Sequence, residues 1–272
     1  MSCRAIDPEY LAYQYGDAEK LRIRQDTHAR FSENPQGFFQ WMLPHIATGS
    51  ALLVLDVGSG HGPYHALLCA RGCRVVALDL SLGMVREARR AAAAGQWYVA
   101  AAQGDARHLP FCDGVFDRVM ANHMLYHVSD QTQALREMRR VLKPGGRVIL
   151  ATNAPDIYRR LSDLHDRAAA QLGYVCGPSM SARFSLADLP LVRSVFPSAQ
   201  VHARDDALVF PDVAPAIRYY TSTFVDRIET PPADGSHREQ LAALVAAQIR
   251  EIIDREGVFR VPKRSGCFVA DV

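Results

Sequence analysis

The sequence predicts an α/β fold: a doubly wound, mostly parallel sheet with helices on both faces. Two observations support this prediction. Between residues 51 and 152, short apolar runs alternate with helical patterns, as in a parallel sheet that is buried on both faces. The first run opens into Gly58, Gly60 and Gly62, and the second ends in Asp79. In parallel α/β sheets, a glycine turn after one strand and an acid at the end of the next strand form a nucleotide-binding crevice.

Five strands are predicted in this region, and helical patterns separate them. A helix over 131–142 is indicated by the helical spacing of its apolar residues, and Pro144-Gly145 cannot continue it. A second helix over 82–94 has Ser81 as its N-cap. The predicted strands are 51–57, 74–78, 97–102, 115–121 and 147–152.

The flanking segments predict helices and two further strands. Helical stretches at 18–32 and 38–43, broken by Asn34-Pro35 and Pro44, indicate a helical cap over the mouth of the crevice. Strand candidates at 200–210 and 266–272 bring the sheet to seven strands. We therefore expect a cap over 1–47, a cofactor-binding core over 48–152, and a C-terminal part of the same domain over 153–272. Its helices are predicted at 156–172, 185–196, 213–224 and 237–256.

The acid beside the glycine turn indicates which nucleotide the crevice binds. A dinucleotide places its pyrophosphate against bare N–H groups, with no acid beside them. Here Asp56 precedes the turn, and Pro63 stands where a dinucleotide turn has its third glycine. An acid favours a ligand that is cationic at this point. S-adenosylmethionine carries an ammonium and a sulfonium and no phosphate, so the sequence predicts it rather than NAD or FAD.

Five motifs lie in order between residues 50 and 152. They are the acidic glycine turn at 55–62, the acid Asp79, Gly-Asp-Ala-Arg-His-Leu-Pro-Phe at 104–111, Val-Phe-Asp-Arg-Val at 115–119 and Leu-Lys-Pro-Gly-Gly at 142–146. In these motifs the chain resembles the class I S-adenosylmethionine-dependent methyltransferases of the small-molecule, type 11 kind. The resemblance implies a Rossmann-like, seven-stranded sheet with an antiparallel last strand, S-adenosylmethionine as cofactor and a small-molecule methyl acceptor.

The glycine turn and the acids near it are the predicted cofactor site. The turn from Gly58 through Ser59 and Gly60 to Gly62 allows close approach of a ligand, and Asp56 can pair with the amino acid end of the methionine. Asp79 can accept both ribose hydroxyls, although a helix N-cap is the alternative role.

Three further segments are predicted to contact the cofactor. Asp105 can accept the adenine amino group while the Ala106 N–H meets a ring nitrogen, with a turn acid as the alternative. Leu80 and Met84 are assigned to apolar contact with the adenine or ribose, or to the core. The resemblance implies that Asn122 lines the cofactor and the transferred methyl group.

Methyl transfer needs alignment of three atoms, and a base only if the acceptor must lose a proton. His123 and His127, which follow the fourth strand, are the predicted catalytic residues, with packing or capping as the alternative. The predicted acceptor-binding residues are Tyr126, His28, Phe31 and Asn153. Arg218, Tyr219 and Tyr220 are weaker candidates for the same pocket.

Composition excludes several classes of function. The chain has 272 residues with 31 basic and 29 acidic side chains, and no block of like charge, which argues against nucleic acid as a partner. The chain contains neither an apolar run long enough for a membrane span nor an apolar signal core. Six scattered cysteines predict reduced thiols and no metal site. We expect a cytoplasmic protein, and a homo-oligomer is compatible with the sequence.

The predicted function is methyl transfer from S-adenosylmethionine to an O, N or C nucleophile of a small metabolite. One alternative is a protein of the same fold that binds the cofactor for cyclisation or sensing. A second is an NAD-binding oxidoreductase, which Asp56 and Pro63 disfavour.

Overall fold

The computed structural model of the chain describes residues 6–15, 19–46 and 51–272. Seven strands and ten α-helices are assigned within these ranges. The predicted boundary between cap and core at residues 47 and 48 lies outside them. The strands are β1 Leu53–Val57, β2 Arg74–Asp79, β3 Val99–Gln103, β4 Phe116–Asn122, β5 Leu142–Asn153, β6 Gln200–Phe210 and β7 Phe259–Asp271. The helices are α1 Pro8–Tyr15, α2 Glu19–Phe31, α3 Phe38–Ile46, α4 His65–Cys69, α5 Leu82–Gly95, α6 Gln131–Val141, α7 Arg159–Gln171, α8 Leu189–Val195, α9 Val213–Thr223 and α10 His237–Glu256.

The strands form one sheet in the order β3-β2-β1-β4-β5-β7-β6. The pairs among β1 to β5 are parallel, and β7 runs antiparallel to both β5 and β6. The predicted Rossmann-like sheet with its antiparallel last strand is confirmed. The order reverses between β1 and β4, and a parallel sheet binds ligands beyond the carboxyl ends of its strands at this point.

Alternation along the strands divides the core between the two faces of the sheet. Leu55 and Val57 of β1 pack with α6 and α8 on one face. Val54 packs with α3 and α4 on the other face. Asp56 points to this second face as well, because side chains two residues apart share a face.

A third cluster lies beyond the sheet proper, where α7, α9 and α10 pack on the outer part of the β6–β7 hairpin. Its members include Leu208 and Phe210 of β6 and Phe259 and Val261 of β7. Because this hairpin extends past the end of β5, the helices packed on it stand beside the carboxyl edge of the sheet.

Several predicted boundaries were wrong: the strand predicted at 147–152 begins at Leu142, and the helix predicted at 185–196 is α8, Leu189–Val195. In two other cases tertiary packing overrides a local signal. The helix predicted at 38–43 continues through Pro44 to Ile46, since Met42, Leu43 and Ile46 are buried against the sheet. The strand predicted at 266–272 begins at Phe259. Its added part includes Pro262, which lies where β7 has only β6 as a described neighbour, and proline is tolerated at such edges.

Candidate active site

The predicted cofactor and acceptor residues gather at the carboxyl edge of the sheet. Asp56 lies near the end of β1, Asp79 ends β2, Asn122 ends β4 and Asn153 ends β5. Residues separated by up to about a hundred positions in the chain therefore line one crevice, as the parallel strands require.

The glycine turn after β1 adopts left-handed backbone angles at three positions. Gly58, Gly60 and Gly62 have φ values of +65°, +57° and +83°. A Cβ atom at Gly58 would lie 2.7 Å from Cγ of Met124, so this glycine also permits close packing of the segment that follows β4.

The N–H groups of the turn are already hydrogen-bonded within the protein. Those of Gly58 and Ser59 both donate to the carbonyl oxygen of Leu78, at 2.7 and 3.1 Å, and that of Gly60 donates to Oδ2 of Asp79 at 2.8 Å. A dinucleotide turn offers such groups to a pyrophosphate. Here they are occupied, which disfavours a phosphate ligand independently of the acid that the sequence shows.

Asp56 lies beneath this turn and has a partner that the sequence did not indicate. Its Oδ2 atom is 3.1 Å from Nε2 of His65, and both side chains are fully buried. Burial raises the pKa of Asp56, while the hydrogen bond from His65 opposes that shift. The contact between Asp56 and the methionine end of the cofactor stays a prediction.

Asp79 is held in place by two backbone donors, the N–H groups of Gly60 and Ser81, each at 2.8 Å. Burial raises its pKa, and these two bonds act in the opposite direction. A carboxylate offers about four acceptor positions, so lone pairs remain for ribose hydroxyls. Ser81 is the N-cap of α5, accepting from the Met84 N–H, as the sequence predicts.

The remaining predicted cofactor residues differ in exposure. Asp105 is paired with Arg107, and this hydrogen bond lowers its pKa. Ala106 is buried beside it. Leu80 is 59% exposed, and Met84 is buried at 1% exposure, so Leu80 is open to a ligand whereas Met84 packs in the core.

Asn122 is the most informative residue at this edge. Both its Nδ2 and Oδ1 atoms are buried without a hydrogen-bond partner among the described residues. A buried amide without partners costs free energy unless a ligand or a water binds it, so Asn122 is a candidate ligand-binding residue. The next residue, His123, has φ +54°, an unusual conformation for a side-chain-bearing residue that occurs at functional sites.

Helices α1 and α2 cover the crevice. The hydroxyl of Ser81 donates to the carbonyl oxygen of Tyr15 at 2.9 Å, and the Tyr15 hydroxyl lies 2.9 Å from Nε2 of His127. Leu21 of α2 reaches within 3.3 Å of the position that a Cβ of Gly60 would take. Arg22 pairs with Glu87 of α5 at 2.5 Å. Helix α3 packs mainly on the sheet, but its first residue, Phe38, reaches the crevice, where its ring centroid lies 5.4 Å from that of His123.

Several predicted acceptor-binding residues meet in one group beside Asn122, which we call the aromatic cluster: His28, His123, Tyr126, Tyr158 and Tyr219. His28 Nε2 lies 3.1 Å from the Tyr158 hydroxyl, and its ring contacts that of Tyr219 at 5.8 Å between centroids. A proton on His123 would lower the pKa of His28, which places the two imidazoles in the same cluster. Tyr126 lies in a short 3-10 helix, Leu125–His127, directly after β4.

Both histidines of the cluster are neutral at pH 7. Burial, and then the positive charge of Lys263, lower the pKa of His28 to about 3 and that of His123 to about 4. Lys263 itself forms a buried ion pair with Asp206 at 2.6 Å, each side chain being only 7% exposed. Each neutral imidazole can accept a hydrogen bond, but a group with so low a pKa is a weak base.

Two other predicted residues lie near the cluster but point elsewhere. Phe31 packs against Phe210, with ring centroids 5.3 Å apart, at the edge of the C-terminal cluster. Asn153 accepts a hydrogen bond of 2.8 Å from Ser265. Of the weaker candidates, Tyr219 belongs to the aromatic cluster, whereas Arg218 is exposed and Tyr220 bonds to His165 on the other side of α9.

Comparison with known proteins agrees with this geometry. Residues 55–150 match the family model described as a methyltransferase domain, and this range holds the glycine turn, Asp79, Asp105 and Asn122. The chain carries a methyltransferase domain. The predicted resemblance is therefore confirmed, and with it S-adenosylmethionine as the cofactor of this domain.

The curated relatives of the methyltransferase domain cover part of the chain. It is 36% identical over 180 residues to malonyl-[acyl-carrier protein] O-methyltransferase of Erwinia pyrifoliae, a match over 65% of this chain and 63% of that protein. It is 43% identical over 102 residues to demethylmenaquinone methyltransferase of Thermobifida fusca, over 37% of this chain and 43% of that one. The chain thus spans less than two thirds of each.

The fold comparison covers more of the chain. The crystal structure of the YcgJ protein of Bacillus subtilis superimposes with a TM-score of 0.57 at 22% identity. The match covers 86% of this chain and 97% of that one, so it shows a shared fold that reaches beyond the methyltransferase domain.

The residues of the methyltransferase domain fit this cofactor. The unpartnered Asn122 amide offers a donor and an acceptor to the amino acid end of the methionine, and Asp79 has free lone pairs for the ribose. The left-handed Gly58, Gly60 and Gly62 place no side chain of their own at the crevice floor.

Several residues of this site were not found from the sequence. His65, Arg24, Tyr158 and Lys263 lie in segments without a recognisable motif, and their roles depend on contacts between distant parts of the chain. Within the aromatic cluster, Tyr158 has a left-handed backbone with φ +57°, as His123 does. No sequence signal marks Tyr158.

One group outside the site has the composition of a metal site. The ligand atoms of His165, Asp166 and Cys176 lie within 4.8 Å of one another. Both ring nitrogens of His165 are already hydrogen-bonded, to the hydroxyl of Tyr220 and to the carbonyl oxygen of Arg227, and Arg227 pairs with Asp166. The group therefore fits a hydrogen-bonded core better than a cation.

None of the described helices has both the length and the apolar character needed to cross a membrane.

Proposed function

We propose that this protein transfers the methyl group of S-adenosylmethionine to an O, N or C nucleophile of a small metabolite. The observation that carries the proposal is the Asn122 amide, whose two polar atoms are buried without partners between the glycine turn and the aromatic cluster. In this arrangement Asn122 contacts the methionine end of the cofactor, and the acceptor lies on the side of His123.

The cofactor supplies a methyl carbon bonded to a sulfonium. The acceptor nucleophile forms a new bond to this carbon as the carbon–sulfur bond breaks, and the electron pair of that bond stays on sulfur. The protein's contribution is to align the three atoms and exclude water. The cap helices α1 and α2 cover the crevice and serve the second purpose.

We assign the individual contacts as follows. Asp56 acts on the methionine end through the floor of the turn, and Gly58, Ser59, Gly60 and Gly62 shape that floor. Asp79 accepts from the ribose. The adenine is contacted by Leu80, Asp105 and Ala106, while Met84 supports them from the core.

The histidines of the site act mainly by orienting the acceptor. His123 is neutral at pH 7 and can accept a hydrogen bond, or the proton of an acidic acceptor, but its pKa of about 4 makes it inefficient for an unactivated alcohol. His127 is held by the Tyr15 hydroxyl and links the acceptor side to the cap. His28 and Tyr126 complete the acceptor surface. Phe31, packed on Phe210, and Asn153, bonded to Ser265, support it from behind.

The same proposal includes where the protein acts and what kind of molecule it acts on. The chain acts in the cytoplasm on a small molecule rather than on nucleic acid; the near balance of charge and the free cysteines of the described residues support this. Sedimentation of the purified protein would show whether two copies associate.

Calorimetry tests the cofactor assignment. We expect S-adenosylmethionine and S-adenosylhomocysteine to bind and NAD not to bind. Asn122→Ala should weaken binding of both by about tenfold, the value of one or two hydrogen bonds in a buried site. Preferential binding of NAD contradicts the proposal.

Incubation with methyl-labelled cofactor and a metabolite extract tests the transfer itself. Label in a small-molecule fraction supports a transferase. Tight cofactor binding with no labelled acceptor in any fraction contradicts the transferase and favours a cyclase or sensor of the same fold.

A further inference from the structure

A buried guanidinium without a described carboxylate partner faces the site from α2. The Nη2 atom of Arg24 is buried and has no hydrogen-bond partner among the described residues, while its Nε donates to the carbonyl oxygen of Lys20 at 3.1 Å. The guanidinium lies over the ring of Tyr15, 5.6 Å from its centroid, and interacts electrostatically with the hydroxyls of Tyr15, Tyr126 and Tyr219.

The acid that acts on His28, one turn later in the same helix, is not available to neutralise Arg24. Asp206 accepts from Lys263 at 2.6 Å, from the N–H of Asn34 at 2.9 Å and from its neighbour Ala207 at 2.7 Å. Its lone pairs are therefore largely occupied, and its charge is balanced by Lys263.

Other arginines of the protein show what Arg24 lacks. Arg107 pairs with Asp105, Arg140 with Glu137 and Arg160 with Glu256, all at 2.6 or 2.7 Å. A buried cation with no counter-ion costs free energy unless a ligand supplies the charge. Because the guanidinium is planar and presents paired donors, a carboxylate is the ligand that suits it best.

The position of Arg24 separates it from the methionine end of the cofactor. Leu21, nearly one turn earlier in α2, lies over Gly60, whereas Arg24 interacts electrostatically with Tyr126 and Tyr219 of the aromatic cluster. One turn later, His28 belongs to the cluster itself. Arg24 therefore points to the acceptor side of the crevice.

We propose that the methyl acceptor carries a carboxylate group and that Arg24 binds it, with the aromatic cluster packed against the rest of the molecule. This inference rests on the proposed function, since it names the class of acceptor. It assigns Arg24 a role in substrate binding that no motif of the sequence indicates.

Benzoate and benzamide are matched probes for this proposal, because they differ in charge but hardly in shape. Each is titrated calorimetrically into the protein, with and without saturating S-adenosylhomocysteine. In the wild type we expect benzoate to bind at least about tenfold more tightly than benzamide, as a charge-assisted pair of hydrogen bonds provides. Arg24→Gln should abolish that preference, and Arg24→Lys should retain part of it.

Arg30→Gln is the matched control, because Arg30 lies on the same helix but is exposed. We expect it to keep the wild-type preference for benzoate. Equal binding of the two probes to the wild type overturns the proposal without the need for any variant. A preference that survives Arg24→Gln overturns it as well.

Titration with S-adenosylhomocysteine tests whether the carboxylate that Arg24 binds belongs to the cofactor rather than to the acceptor. If Arg24→Gln weakens S-adenosylhomocysteine binding tenfold and the wild type shows no preference for benzoate, Arg24 serves the cofactor and the proposal is wrong. Failure of the proposed function appears elsewhere, as absence of S-adenosylhomocysteine binding by the wild type. The probes without cofactor still report on Arg24 in that case.

Discussion

Replacement of Gly58 by alanine tests how the glycine turn supports the site. Gly58 has φ +65°, and the new Cβ atom would lie 2.7 Å from Cγ and 2.8 Å from Cβ of Met124. The left-handed backbone costs alanine about 1–2 kcal/mol. Overlap with a packed side chain adds about 1–3 kcal/mol. We therefore expect Gly58→Ala to lower the free energy of unfolding by about 2–5 kcal/mol.

Gly114→Ala is the matched control for this substitution. Gly114 also has φ +65°, but nothing lies within 4 Å of the position that its Cβ would occupy. It carries the backbone cost alone, about 1–2 kcal/mol. The difference between the two variants therefore isolates the overlap with Met124.

Urea denaturation of both variants measures these free energies, provided that unfolding is two-state. The double variant Gly58→Ala with Met124→Ala should recover part of the loss, because the overlapping atoms are removed. Calorimetry should also show weaker S-adenosylhomocysteine binding by Gly58→Ala, since Met124 adjoins His123. Equal destabilisation by Gly58→Ala and Gly114→Ala would refute the packing argument.

Three further predictions concern titratable groups. The pKa of His123 is lowered to about 4, so its contribution to stability is present above the unfolded value of about 6.5 and is lost as the pH falls from there toward 4. His123→Asn, which tolerates the left-handed backbone, should flatten the fall in unfolding free energy between pH 6.5 and 4, and an unchanged slope argues against the buried neutral histidine. Lys263→Met should destabilise the protein by about 3–5 kcal/mol because it leaves Asp206 buried and unpaired. Adding Asp206→Leu should restore much of this in the same urea assay, and no recovery contradicts the ion-pair account. Asp56→Asn should weaken S-adenosylmethionine binding severely, as measured by calorimetry. If this variant keeps the wild-type affinity, Asp56 serves only the fold.

The sequence predicted the sheet well because its signal is local. Apolar runs bounded by glycine and polar turns mark β1 to β5, and their parallel direction follows from the helices between them. The strand at 200–210 was predicted with its observed limits. The missed part of β7 is charged and contains Pro262, and it is a strand only because β6 pairs with it.

The cofactor end of the site was also accessible from sequence. Gly58, Asp79 and Asn122 each stand directly after or at the end of a predicted strand, and the carboxyl ends of parallel strands meet at one edge. By contrast, the sequence could not show that Leu78 and Asp79 occupy the N–H groups of the glycine turn, because these bonds link β1 and β2 across the sheet.

The sequence by itself determined the sheet, its carboxyl-edge crevice and a nucleoside cofactor without phosphate, because periodicity and the acid beside the glycine turn are properties of neighbouring residues. Only the tertiary structure decided that His65 pairs with Asp56, that Tyr158 meets His28 across 130 positions, and that Arg24 faces the site without a described counter-ion. These relations depend on which distant elements pack together. Local pattern carries no information about them, since the same helix α2 presents one face to the crevice and another to solvent.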